Sequence, residues 1–525
     1  MIESELGNSI VLKKPDKAKI RAIWQAAGRD QVPDRWWESA TAVKRYSLKP
    51  NVHHEYLSLE PAVLSTELDE LKAQGFSAIE IITPWDAGTS FGGLDTKNHY
   101  RLEPETGTME DFRRLVRTVH EKGMAIIVFG NFGYCAIDAP FFLKACDALR
   151  EGSDSQEIDW FLWSDRKDAP PPVQGDKFFM VRPTHLPGAE PGTYYDSSQH
   201  EYWEPSKRAR KYYWTKWANE DWASDDPDRK VFRLPQYNWS SKSFQKEVEN
   251  VIRFWMETGI DGWVIDAVNW YVGCNWKVNR RYMTDVISEY GNAFVQPEGS
   301  GAFLEDPVAW ITEGNYTCVQ DYDMFIWWIK GSNVYRNAID SGDPRPIEGK
   351  LRNYHDRVKE AGGTLYFCFE DPVGEEGYAD DQRKYDLYLA TVASLGAMCS
   401  FSGYEPSSEA AWIFIIKAAH PAFYQNSVRR VLPTNADHKY YAFIKTAADH
   451  SERILAVLNF QDSVEMVQID CSGVSAKRFV DLRNNAVIQH NSSIEVELPA
   501  YGYRFFKVLP SKEEDKFVVT QPEKS

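Results

Sequence analysis

Short apolar, β-rich runs alternate with amphipathic stretches along most of the chain, the rhythm of parallel βα units. Eight runs read as strands: "EYLSL" (55–59), "SAIEIIT" (77–83), "AIIVFGN" (125–131), "GWVID" (262–266), "AFVQPE" (293–298), "TCVQD" (317–321), "TLYFCFE" (364–370) and "AMCSFSG" (397–403). Between them, stretches such as "PAVLSTELDELKAQG" and "MEDFRRLVRTVHEKG" carry apolar positions at helical spacing and end on glycines suited to helix C-caps. Eight such repeats close naturally into an α/β (β/α)8 TIM barrel, whose active site lies at the C-terminal ends of the strands. A doubly wound open sheet is the alternative, but no G-x-G-x-x-G follows an early strand.

The rhythm breaks twice. After the third strand comes an insertion over 133–237, rich in Pro, Trp, Tyr and charge; a stretch that long inside a compact domain has a function or folds as a subdomain. From residue 429 the pattern becomes alternating strands and turns, "YYAFIKTA", "RILAVLNFQD", "VEMVQIDCSG" and onward, which predicts an antiparallel β-sandwich. The expected organisation is therefore barrel over 1–132, insertion over 133–237, barrel again over 238–428, sandwich over 429–510 and a charged tail over 511–525.

Composition narrows the function. A net charge of −17 argues against a nucleic-acid binder, which would show a basic face. The 19 Trp and 27 Tyr suit surfaces that grip flat polar ligands such as sugars, as well as ordinary cores. Seven scattered cysteines without a C-x-x-C pair fit free thiols in a reducing compartment, and His53 and His54, with no carboxylate or further His at ligand spacing, read as structural. No apolar run is long enough to span a bilayer and no signal-peptide core opens the chain, so the expectation is a soluble, cytoplasmic protein with no membrane partner, cofactor or metal.

Three strands end in acids at the face where a barrel does its chemistry: Asp266 after the fourth, Glu298 after the fifth, and Glu370-Asp371 after the seventh. Ionised carboxylates are costly beside apolar layers unless paired or used. Retaining glycoside hydrolysis uses them: a carboxylate nucleophile and a carboxylic acid stand about 5–5.5 Å apart across the scissile bond, with their pKa values pushed apart by burial and mutual repulsion.

The order and context of "GIDGWVIDAVNW", "VQPEGSG" and "YFCFED" resemble three conserved regions of the α-amylase family, glycoside hydrolase family 13. The approach segments to the second, third and fourth strands, "SFSGYEP" at the eighth and the C-terminal sandwich are similar to that family too. The resemblance implies that Asp266 is the nucleophile, Glu298 the general acid/base and Asp371 the transition-state stabiliser, acting on a small carbohydrate.

Departures cluster around the subsite for the reacting ring. Val264 stands where the family carries Arg, Phe369-Glu370 replace Asn-His, Leu94 replaces a stacking Tyr beside a retained Asp95, and of the first region only Asn131 survives, with Phe132 or Gly133 for its His. Trp270 replaces the His after the nucleophile, which weakens the case for the calcium of some members. Two like charges about 5 Å apart repel by roughly 3 kcal/mol at an effective dielectric near 20. Glu370 is thus either part of a subsite for an unusual or amino sugar, or turned away toward a cation. Trp85 and Trp270 are candidate sugar platforms, with packing as the alternative. The leading expectation is a retaining α-glycosidase; a transglycosidase or glycoside isomerase would share the covalent intermediate, and a non-catalytic carbohydrate-binding relative is the rival from another class.

Overall fold

The computed structural model describes residues 11–49, 55–88, 93–170, 172, 203–216, 234–268, 271–298, 306–321, 334–369, 381–402, 407–475, 478–489 and 492–509. Two compact units divide the chain. The first comprises Met1–Asn333, Tyr354–Pro372 and Met398–Glu405; the second comprises Val334–Asn353, Val373–Ala397 and Pro406–Ser525.

The first unit contains eight parallel strands, β1 (Ala42–Ser47), β2 (Ala78–Ile82), β3 (Ala125–Gly130), β4 (Gly262–Ile265), β5 (Phe294–Pro297), β6 (Cys318–Gln320), β7 (Thr364–Phe369) and β8 (Met398–Ser402). They run side by side in the order β5-β4-β3-β2-β1-β8-β7-β6. Thr317, just before β6, donates its N–H to Val295 O of β5 at 3.0 Å, which brings the two ends of this row together as a barrel. Apolar side chains from alternate positions, among them Val43, Ala78, Ile127, Val264, Phe294, Cys318 and Met398, fill the interior.

Seven of the eight expected strands appear. The exception is the first: β1 lies at 42–47, in "TAVKRYS", and 55–59 only bridges its end, with Ser47 N–H donating to Glu55 O at 2.7 Å and Leu57 N–H to Ser47 O at 2.9 Å. The Lys-Arg pair at its centre hides it from a hydropathy reading. Inside the barrel Arg45 Nε reaches Glu80 Oε1 of β2 at 3.0 Å, both side chains almost fully buried, with the guanidinium over the Phe129 ring; on the other face Lys44 Nζ meets Glu55 at 2.7 Å.

Helices cover the outside where expected. Among them α1 (Lys17–Ala27) packs near the N-terminal ends of the strands, α2 (Pro61–Ala73) and α3 (Met109–Glu121) end before Gly75 and Gly123, and α3 opens on a reciprocal Thr108–Asp111 capping box. The insertion begins with α4 (Pro140–Glu151) and adds a small antiparallel sheet of Trp163–Ser164, Trp203–Ser206, Lys211–Lys216 and Leu234–Pro235. It leaves and returns at one place: Tyr237 N–H donates to Gly133 O at 2.9 Å and Cys135 N–H to Pro235 O at 3.0 Å. The helix α5 (Lys242–Met256) then leads into β4.

In the second unit a six-stranded antiparallel sheet and a two-stranded sheet (Glu465–Asp470 with Ser493–Leu498) share one apolar core that includes Leu455, Val457, Phe479, Val467, Ile469 and Val496. Alternating burial along Glu465–Asp470 and Ser493–Leu498 gives each strand one face to that core. Cys135, Cys146, Cys274, Cys318, Cys399 and Cys471 are buried. Among the described residues no helix is long and apolar enough to cross a membrane.

A buried polar latch closes the N-terminal side of the barrel. Asp261, just before β4, accepts from Arg29 Nε at 2.5 Å, from the Ile126 N–H at 2.8 Å and from His120 Nε2 at 2.8 Å, while His120 Nδ1 faces Ala27 O at 2.7 Å. Burial raises the Asp261 pKa, but His120, Arg29 and the Ile126 amide outweigh it and hold the carboxyl below its ordinary value. Its contribution to stability is therefore complete above the unfolded carboxylate pKa and fades as pH falls through the lower folded value. Asp261→Asn, which strands a buried guanidinium, is expected to destabilise the first unit by about 3–5 kcal/mol at neutral pH. Denaturant unfolding followed by Trp fluorescence checks this, and the gap between variant and native should narrow below about pH 4.

Candidate active site

The hydrogen-bond ladder of the barrel continues one residue past the strands. Asp266 N–H donates to Gly130 O at 2.9 Å and Glu298 N–H to Ile265 O at 2.9 Å, so acids stand at the C-terminal ends of the neighbouring strands β4 and β5. Strand alternation puts both on the inward face: Val264 and Phe294 belong to the barrel core, and Asp266 and Glu298 follow them at even spacing. Asp266 is buried and Glu298 partly exposed. Between them Ala267 donates its N–H to Glu298 Oε2 at 3.2 Å, from a backbone with φ of 36°. Such a conformation is uncommon for a residue with a Cβ and concentrates at functional sites.

Two tyrosines that the sequence reading passed over complete this cluster. Tyr134, the second residue of the insertion, is buried with its phenol in the field of Asp266, Asp95, Tyr271 and Glu298. Burial first, then those neighbours, push its pKa well above 10, so it stays an O–H donor among acids. Tyr271 is held likewise by burial and by Asp266; its hydroxyl accepts the Phe132 N–H at 3.0 Å and its ring stacks on Trp239 at 5.5 Å. Their signal in the sequence was position alone: three residues after Asn131 and five after Asp266.

Asp95 is buried in the same neighbourhood, close enough to act on the Tyr134 phenol. Leu94 beside it packs partly buried against the barrel core, and Val264 lies within that core. Asn131 Nδ2 donates to Leu94 O at 3.1 Å while its Oδ1 accepts the Gly133 N–H at 2.7 Å, which spends this side chain on backbone.

Trp85 is not a sugar platform. It has no exposed surface; its indole N–H donates to Thr96 Oγ1 at 2.8 Å and its ring packs with His99, Trp255, Trp263 and Phe132 at centroid distances of 5.2, 5.8, 6.2 and 6.2 Å. A ring without a free face has nothing to offer a ligand, and packing is the role that survives. Trp270, Glu370, Asp371, His53 and His54 lie outside the described residues. Among the described residues no group of three or more His, Cys, Asp or Glu side chains could hold a metal ion.

Comparison with known proteins agrees with this architecture. The α-amylase catalytic domain matches residues 63–296 and the C-terminal domain of maltogenic amylase matches residues 429–505. An α-glucosidase of Schizosaccharomyces pombe is 22% identical over 242 residues, 46% of this chain and 36% of the relative. A trehalose synthase of Thermus thermophilus is 24% identical over 336 residues, 61% of this chain and 30% of the relative. The matched stretch thus spans about a third of the length of these curated relatives. An α-amylase from H. orenii shares the fold with a TM-score of 0.64 at 14% identity, over 90% of this chain and 99% of that structure.

One contact in the cluster is testable without a substrate. A Cβ on Gly133 would lie 2.8 Å from the Tyr271 ring, so Gly133→Ala must displace that ring and loosen its bond to Phe132. The variant is expected to lose about 1–3 kcal/mol, read from denaturant unfolding, with faster amide exchange at Phe132 as the local signature.

Proposed function

We propose that the protein is a retaining α-glycosidase acting on a small α-linked saccharide or glycoside; residues 63–296 match the α-amylase catalytic domain and residues 429–505 match the C-terminal domain of maltogenic amylase. The observation that carries the proposal is the pair Asp266 and Glu298, inward-facing at the ends of adjacent parallel strands and linked through the Ala267 amide. Neighbouring strands lie about 4.8 Å apart, which suits the separation of about 5–5.5 Å that retention requires.

In this reading Asp266 attacks the anomeric carbon while Glu298 gives its proton to the leaving oxygen. Glu298 then takes a proton from water, and the resulting hydroxide releases the sugar from Asp266. Asp371 is assigned to stabilising the oxocarbenium-like state on the resemblance of "YFCFED" alone. Asp95 accepts hydrogen bonds from ring hydroxyls, and Tyr134 supplies a donor in an environment otherwise dominated by acids. Val264 and Leu94, apolar where an Arg and a Tyr would meet the ring, argue for a sugar other than unmodified glucose at this subsite. Attack by a sugar hydroxyl in place of water would turn the same intermediate to transfer.

Fluoride release from a panel of α-glycosyl fluorides, including amino and deoxy sugars, tests the reading. The native protein should release fluoride from at least one member and Asp266→Asn should lower the rate by about 10³-fold or more. Glu298→Gln should keep the first step on this activated donor, stall at the glycosyl-enzyme, and regain turnover with azide. No release from any sugar, or equal release by Asp266→Asn, would overturn it.

A further inference from the structure

Three strand ends converge on two carbonyls beside Asp95. Lys49, after β1, donates from Nζ to Gly93 O at 3.2 Å; Thr83, after β2, donates from Oγ1 to the same oxygen at 3.0 Å; Asn131, after β3, donates to Leu94 O at 3.1 Å. From the opposite side Gly88 N–H donates to Asp95 O at 2.7 Å. A Cβ at Gly88 would come within 2.0 Å of Asp95 Oδ2, so glycine is required for that approach. The segment carrying Asp95 is thus clamped from both sides, and Thr83 is held at φ of 32° in the process.

Thr83 and Asn131 are neutral; Lys49 is the ionisable member of the clamp, and its side chain is buried. Burial lowers its pKa to about 8, against the pull of Glu103, Asp95 and Asp86. Other charges face the same acids: Arg101 pairs with Asp86 at 2.6 Å, and Lys97, paired with Asp138 at 2.8 Å, feels both Asp86 and Asp95.

We propose that Lys49 is a positioning residue that aims Asp95 into the active site by holding the Gly93 carbonyl, and that the clamp tightens as Lys49 loses its proton. The first half rests on the reading of Asp95 as a sugar-binding residue; the second does not. The sign follows from linkage. An ammonium gains hydration when the segment opens, whereas a neutral amine gains little and still donates to Gly93 O. A group whose pKa is about 8 in the closed form and 10.5 in the open one makes opening about tenfold rarer at pH 9 than at pH 7.

Amide exchange at Gly88, corrected for intrinsic base catalysis, needs neither substrate nor turnover. Protection in the native protein should rise about tenfold from pH 7 to pH 9, and Lys49→Met should abolish the rise. A flat native profile, or an equal rise in the variant, overturns the clamp. Where fluoride release is found, Lys49→Met should lower kcat/KM about tenfold alone and add nothing in an Asp95→Asn background, since a positioning residue has no effect once its target is gone. Additive losses would overturn the positioning role while leaving the glycosidase reading intact. Absence of release from the native protein would defeat that reading and leave the exchange result to decide on Lys49.

Discussion

A parallel strand presents its neighbour with a carbonyl at its last residue, and that carbonyl decides where the neighbour's next side chain emerges. Gly130 O receives the amide of Asp266, and Ile265 O receives the amide of Glu298. The two acids are consequently placed by one continuous ladder through β3, β4 and β5. A slip of one residue would exchange the inward set Val264 and Asp266 for Trp263 and Ile265, turning Asp266 away from the barrel interior and forcing an indole into it. The packed interior beneath, with Ile127, Val264 and Phe294 filling it, makes that slip costly.

Holding acids at the rim has costs that the surroundings offset. Thr83 and Ala267, at the ends of β2 and β4, both adopt positive φ, each worth about 1–3 kcal/mol of strain. Outside the strands Trp85, Trp255 and Trp263 form a buried aromatic layer with His99, whose neutral imidazole burial enforces by lowering its pKa to about 3. Within the barrel Arg45 and Glu80 pair at 3.0 Å, so that two buried charged groups face each other among apolar side chains.

The sequence disclosed what repeats and concealed what is compensated. Period-two and helical patterns located seven barrel strands, the capped helices and the C-terminal antiparallel sheets, because each element buries one face independently of its partner. The first strand was missed because Lys44 and Arg45 look solvent-seeking until Glu55 and Glu80, distant in the chain, neutralise them. Asp266 and Glu298 were legible as acids ending apolar strands. Tyr134, Tyr271 and Lys49 were not, since their significance lies in which groups the fold brings around them. Trp85 erred in the opposite direction: a Trp near a strand end reads the same whether it faces ligand or core.

The latch of Arg29, His120 and Asp261 has a consequence for the time course of folding. The residues it joins stand up to 232 positions apart, so no partial chain that ends before β4 can form it. At synthesis rates of about 5–20 residues per second, α1 and the turn after it wait roughly 10–50 s for their carboxylate partner. Until Asp261 emerges, Arg29 lacks its carboxylate partner, and so does His120 from the later moment of its own synthesis. The emergence of the fourth strand is then the event that commits the N-terminal third of the chain to its place.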